Sequence, residues 1–309
     1  MKKITSLLLA CGLLTGCGLQ FTYNQLDWLG SWYVRDYVSL TAPQKVEFKR
    51  RWNDQLDWHR SSELSRYAEL LETFQTAINT DLDMQQLVSL SDRVEVLYRA
   101  TLTNLAPDLV YFAAQTSDQQ ARQLLDSMAE KNRKWEKKFV LPSSHKRARR
   151  RIDRTTDNIE EWTGRLSRAQ RARITRWNQQ LMPIARQMLA HRQKWHRILE
   201  HYFDNRLTPA ALADFGGPES ATLADLITDP ELLWSDDYRT GIEHNKQATL
   251  EMLLDIFSHL SARQMKHLNR KLNNTIDDLY ELAGDTNSQL VQSTQSSRGN
   301  AHTTPASGG

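Results

Sequence analysis

One helix-start signal recurs along the chain and constrains its fold more than any other feature. Leu40-Thr41-Ala42-Pro43-Gln44, Leu166-Ser167-Arg168-Ala169-Gln170 and Leu260-Ser261-Ala262-Arg263-Gln264 each set a leucine, then a hydroxyl residue, then a glutamine three positions later. In that spacing the hydroxyl accepts from a first-turn backbone N–H and the glutamine reaches back to the cap's own N–H, stabilising a helix start by about 1 kcal/mol. Apolar residues follow in helical phase: Phe48 and Trp52, Ile174 and Trp177, Leu268 and Leu272. Weaker versions stand at Asp83 with Gln86, Ser117 with Gln120, and Thr208-Pro209. Only 12 Gly and 8 Pro in 309 residues argue against a many-turned all-β fold or a Gly-lined nucleotide site. The expectation is an all-α fold, an elongated multi-helix bundle.

Two of the helices read as related. Trp58-His59-Arg60-x-x-Glu63 and Trp195-His196-Arg197-x-x-Glu200 follow the first two start signals, and their offsets from the box glutamines differ by eleven residues. Eleven residues are about three turns, so the motif returns to nearly the same face. The pattern predicts long helices over about 42–78 and 168–204, the second bent where Pro183 removes a backbone donor. Chance matching of a three-residue motif is the competing account. Further helices are expected over 87–102, closing at Ala106-Pro107, over 120–139, over 146–166, and near 231–259 and 262–283, with 208–230 irregular. The helical domain thus covers 23–284, with a division into sub-bundles of about 23–141 and 144–284 open. Residues 285–309 carry too little apolar surface to offset ordering entropy and are expected to be disordered.

The N-terminus reads as a targeting segment. Lys2 and Lys3 precede an apolar stretch over 4–14 that is too short to span a bilayer, and Leu14-Thr15-Gly16-Cys17 follows. That run resembles a bacterial lipobox. It assigns residues 1–16 to a lipoprotein signal peptide, Cys17 to lipidation, and 17–22 to the anchor and a short tether. Cys11 would leave with the signal, so the mature chain would keep no free thiol. Several acyl chains at ~0.8 kcal/mol per buried methylene anchor stably. Gly18 and Leu19, with no Asp in second place, resemble lipoproteins forwarded to the outer membrane of Gram-negative bacteria.

Immediately behind the anchor, Leu26, Leu29, Tyr33 and Tyr37 recur at helical spacing beside Trp28 and Trp32. This is an amphipathic helix with a wide aromatic face. Its rings belong either in the bundle core or at a membrane interface, and packing into the bundle is the expectation.

Catalytic signatures are sparse. There is no phosphate loop, no Gly-x-Ser-x-Gly elbow and no His-Glu-x-x-His. His59 with Glu63 and His196 with Glu200 are each four apart, so two adjacent helices could offer two imidazoles and two carboxylates to a divalent metal. Dimetal bundles instead use Glu-x-x-His from several helices, and the same residues also read as a self-satisfied network at a helix surface. A second candidate is the anion-binding run of Lys146, Arg147, Arg149, Arg150, Arg151 and Arg154, which gives residues 145–154 a net charge of +5. Asp153 and Asp157 lie within helical reach of it, and the acidic stretch over 219–237 is an alternative partner. The overall charge of +3 argues against nucleic acid.

The lipobox, Tyr23-Asn24-x-Leu26-Asp27-Trp28-Leu29, Trp58-His59-Arg60-x-x-Glu63-Leu64 and Trp162-Thr163-Gly164-x-Leu166-Ser167-x-x-Gln170 together resemble an uncharacterised family of proteobacterial helical lipoproteins. The family's pattern carries a proline near the Glu-Leu pair, where this chain has Ser65. The resemblance implies the compartment and a helical fold and transfers no catalytic residue. The functional expectation is a periplasm-facing, lipid-anchored envelope protein with a non-enzymatic binding or structural role. It would meet the membrane through the lipid and bind another envelope protein or an anionic envelope polymer. The alternative is a metal-binding helical protein using His59, Glu63, His196 and Glu200.

Overall fold

The sequence's start signals become closed capping boxes in the computed structural model, which describes residues 18–205 and 221–284. Thr41, Ser167 and Ser261 each accept from the N3 amide while the N3 glutamine returns to the cap. Asp83 and Ser117 do the same, and so does Thr222 with Asp225, a box within the stretch read as irregular. The Thr208-Pro209 start, the signal peptide, Cys17 and the 285–309 tail lie outside the described residues.

All regular elements among the described residues are helical. Two short helices, α1 (Gly18–Tyr23) and α2 (Leu26–Arg35), lead into α3 (Ala42–Trp58), a π-helical turn (His59–Glu63) and α4 (Leu64–Asn79). Then come α5 (Met84–Ala114), α6 (Asp118–Phe139), α7 (Ser144–Thr163), α8 (Arg168–Gln180) and α9 (Ala185–Asn205). The last are α10 (Leu223–Thr228), a 3₁₀ turn (Pro230–Leu233), α11 (Asp236–Ser258) and α12 (Ala262–Ala283). α12 stops at Gly284, whose φ of 71° suits a residue without Cβ.

Two boundaries differ from the sequence reading. Helix α5 does not close at Ala106-Pro107 but runs through Pro107, because packing against its neighbours on several sides outweighs one lost backbone bond. Gln55 Nε2 from α3 donates to the Asn104 carbonyl at 3.2 Å, beside that interruption. Conversely, the expected helix over 168–204 is two helices. Residues 181–184 leave the helical path, and the buried Asn245 of α11 takes over their backbone, accepting from Met182 N at 2.8 Å and donating to Met182 O at 3.0 Å.

The core is shared across the chain's midpoint. Leu19 and Tyr23 of α1, Leu64, Ala68 and Ile78 of α4, and Leu268, Leu272, Ile276, Leu279 and Leu282 of α12 form one buried cluster. A second joins Ile159 of α7, Ile174 and Trp177 of α8, and Ala248, Met252 and Ile256 of α11. Major helix pairings are α4 with α12, α6 with α9, and α5 with α10, so 23–141 and 144–284 interleave instead of forming separate sub-bundles.

The capping glutamines do a second job. Gln44 and Gln120 exchange side-chain amide bonds at 3.2 and 2.7 Å, and each also donates to the backbone carbonyl two residues before the other's cap, Gln115 and Ser39. Gln170 and Gln264 repeat that arrangement with His259 and Arg165 as the carbonyls. Two pairs of helix starts, α3 with α6 and α8 with α12, are thereby locked by the same device.

Candidate functional site

The π turn falls on the Trp-His-Arg-x-x-Glu motif itself. Ser61 Oγ donates to the Asp57 carbonyl at 2.9 Å and to Trp58 O at 3.3 Å, and such back-bonding loosens an α-helical turn. π turns inside α-helices frequently mark functional positions. Here the turn presents His59 to the N-terminal helix. Tyr23 stacks on the His59 ring at 5.9 Å between centroids, and its hydroxyl lies 3.0 Å from His59 Nδ1. His59 Nε2 is 3.1 Å from the Tyr67 hydroxyl, which continues to Thr101 at 3.4 Å.

Burial sets the proton states. It lowers the His59 pKa, raises that of Tyr67, and pushes Tyr23 up to about 12 against the opposing effect of Arg60. The ring is therefore neutral and both phenols keep their protons near pH 7. One ring nitrogen donates and the other accepts, so either tautomer satisfies both tyrosines. The result is a clamp that fastens α1 to the bundle. Gln20 adds bonds to Glu281 at 2.7 Å and Asp278 at 3.3 Å on α12.

Beside the clamp, α2 lies close on α3. A Cβ on Gly30 would come within 2.5 Å of the Trp52 indole, whose Nε1 donates to Leu26 O at 2.7 Å. Only glycine permits that approach. With Gly30 facing inward, a period of 3.6 residues turns Trp28 and Trp32 to the opposite side. They are 51% and 49% exposed, with Tyr33 at 57% and Phe21 of α1 at 68%, and α2 has no buried residue. This corrects the expectation that these rings pack into the bundle. Of the nine tryptophans, these two are the exposed ones.

The proposed metal ligands are not brought together. Both His59 nitrogens face tyrosine hydroxyls, and Glu63, 2% exposed, accepts from Arg66 at 2.7 Å through Oε1. Its Oε2 and the nearby Arg60 Nε are buried without a hydrogen-bond partner. His196 Nε2 instead contacts Leu125 O at 3.1 Å across the α6–α9 seam, and Glu200 is exposed. Among the described residues no group of three or more His, Cys, Asp or Glu side chains is gathered for a metal ion. The i, i+4 spacing put each pair on one face of its own helix but carried no information on which helices adjoin.

The basic run is divided between two roles. Arg147 turns inward to the carbonyls of Val140 and Pro142 at the end of α6, Arg150 reaches Lys138 O at 3.4 Å, and Arg151 bonds Asn178 at 2.9 Å. Burial, and secondarily Arg147, lowers the Arg151 pKa. Lys146, Arg149, Arg150 and Arg154 are exposed, and Arg149 meets Asp153 only at 3.9 Å. Within the acidic stretch, the described residues Asp229 and Glu231 pair with a different helix, binding Arg99 of α5 at 3.2 and 3.3 Å, which sequence distance concealed.

A bundle of interlocked capped helices, with a clamped N-terminal helix and outward aromatic residues, defines an all-α protein whose distinctive polar residues hold its parts together. The chain belongs to the DUF6279 family, a family of unknown function, whose model matches residues 36–239. His59, Glu63 and the basic run fall inside the match, whereas α1 and α2 precede it. No curated protein and no solved structure matches the chain.

Proposed function

We propose that the protein is a lipid-anchored component of a Gram-negative cell envelope, attached through Cys17 to the periplasmic face of the outer membrane and serving a non-enzymatic binding or structural role. The observation that carries this reading is the Leu14-Thr15-Gly16-Cys17 run standing directly before α1. The second residue beyond the cysteine, Leu19, is already buried in the bundle, so the anchor would leave almost no tether. No helix among the described residues is long and apolar enough to cross a membrane. In this reading the lipid supplies membrane attachment and the interlocked bundle supplies a rigid body whose faces meet another envelope protein or an anionic polymer.

The test is intact-mass analysis of the chain recovered from envelopes, with labelled palmitate feeding alongside. The expected product begins at Cys17, carries acyl chains and takes up label. Cys17→Ala should remain unlabelled at precursor mass. A mature chain beginning elsewhere, or one without acyl groups, overturns the reading.

A further inference from the structure

We propose that the outer face of α2 is a membrane-docking surface that seats the body on the leaflet holding the Cys17 lipid, an inference that rests on the anchoring reading above. Two stripes divide this helix. Leu26, Gly30 and Val34 recur every four residues on the side held against α3, where Gly30 meets Trp52. Trp28, Trp32 and Arg35 recur at i, i+4 and i+7 on the other side, and all three are exposed. Half-exposed indoles beside a cation suit a phospholipid interface, where the ring sits at headgroup depth and the guanidinium meets phosphate.

Position selects the lipid surface as the occupant. Phe21, 68% exposed, is four residues from Cys17, and even an extended chain spans at most roughly 14 Å over that interval. Helix α1 contributes ~1.5 Å per residue, so α2 also begins within roughly 25 Å of the anchor. The path is not slack. Leu19 and Tyr23 are buried, the Tyr23–His59 contact is 3.0 Å, and Gln20 is bonded to α12. A lipid on Cys17 would therefore hold the rigid body, with its outward rings, at the bilayer. The docked helix would fix the body's orientation and decide which bundle faces point away from the membrane.

The experiment uses the full chain expressed with residues 1–17, extracted and reconstituted into vesicles of phosphatidylethanolamine and phosphatidylglycerol containing acyl-brominated phosphatidylcholine. Intact mass and flotation read the anchor; bromine quenching of tryptophan emission reads docking. Wild type is expected to float and to lose part of its emission to the brominated lipid. Trp28→Ser with Trp32→Ser should float equally, keep the wild-type thermal melt, and lose the quenchable component. Wild type that floats without quenching overturns docking and leaves the anchor standing. Quenching that is absent while chains pair through α2 assigns the face to a second copy, which also overturns it. A chain without lipid that does not float overturns the anchoring reading and docking with it.

Discussion

Gln170 and Gln264 exchange side-chain amide hydrogen bonds, 3.4 Å in one direction and 3.0 Å in the other, while each also closes the capping box of its own helix. Both are buried, so neither amide has water as a substitute partner. Gln264→Ala empties the Arg165 carbonyl, removes one partner from Gln170 and opens the Ser261 box. A destabilisation of about 2–3 kcal/mol is expected, the sum of a lost cap and a buried unsatisfied group. Urea melts of Gln170→Ala, Gln264→Ala and the double variant check it. The double should cost clearly less than the sum, and strict additivity would mean the two boxes act independently.

Tyr23→Phe keeps the stacked ring and removes only the hydroxyl that faces His59 Nδ1 at 3.0 Å. The global cost should be about 1 kcal/mol. The local effect should be larger, because α1 and α2 are short and lean on few contacts. Hydrogen exchange should accelerate over residues 18–35 and on the part of α12 that α1 covers, with little change in α8 and α11. Uniform acceleration across the chain would show that the hydroxyl supports the whole core instead of clamping the N-terminus.

What the sequence disclosed about these sites follows from how local each interaction is. The boxes at Thr41, Ser167 and Ser261 bind within three residues, so their partners were legible in one line of sequence. Their cross-pairing was not, because Gln170 and Gln264 lie 94 residues apart. His59 stood out as a motif residue, yet Tyr23 reaches it from another helix 36 residues away, Tyr67 meets it eight residues on along the same helical run, and the π turn that presents it left only the Ser61-Ser62 pair as a local trace. For α2 the period of the pattern was right and the buried side was wrong. Ring size alone favours burying Trp28 and Trp32, whereas the absent side chain of Gly30 decides which face approaches Trp52.

Acid should weaken the fold through its depressed histidines. Burial, aided by Lys194, lowers His191 from 6.5 to about 4, and burial lowers His59 as well. Between the folded and unfolded values the unfolded chain binds more protons. The contribution of such a group is therefore complete above about pH 6.5 and is lost as pH falls toward 4. For His191, discounted for solvent screening of a ring that is only partly buried, this is on the order of 2 kcal/mol. Urea melts at pH 7 and near pH 4.5 should show a smaller drop for His191→Gln than for wild type. Equal drops would place the acid sensitivity elsewhere.

Gly30→Ala sets two local effects against each other. In a helix interior alanine is favoured over glycine by about 1 kcal/mol, so propensity alone predicts stabilisation. The added Cβ, however, would stand 2.5 Å from Trp52 Cε2 and Nε1, and the indole is pinned by its bond to Leu26 O at 2.7 Å. Relief requires α2 to lift from α3 or the indole to give up that bond, at a typical overpacking cost of 1–3 kcal/mol. The expected outcome is a net loss, together with a red shift and stronger acrylamide quenching of Trp52 emission in a variant retaining that tryptophan alone. Gly30→Ala combined with Trp52→Leu removes the clash and should recover the helix preference. A Gly30→Ala protein more stable than wild type, with Trp52 emission unchanged, would mean that α2 does not need glycine to dock, and the outward placement of Trp28 and Trp32 would lose its physical basis.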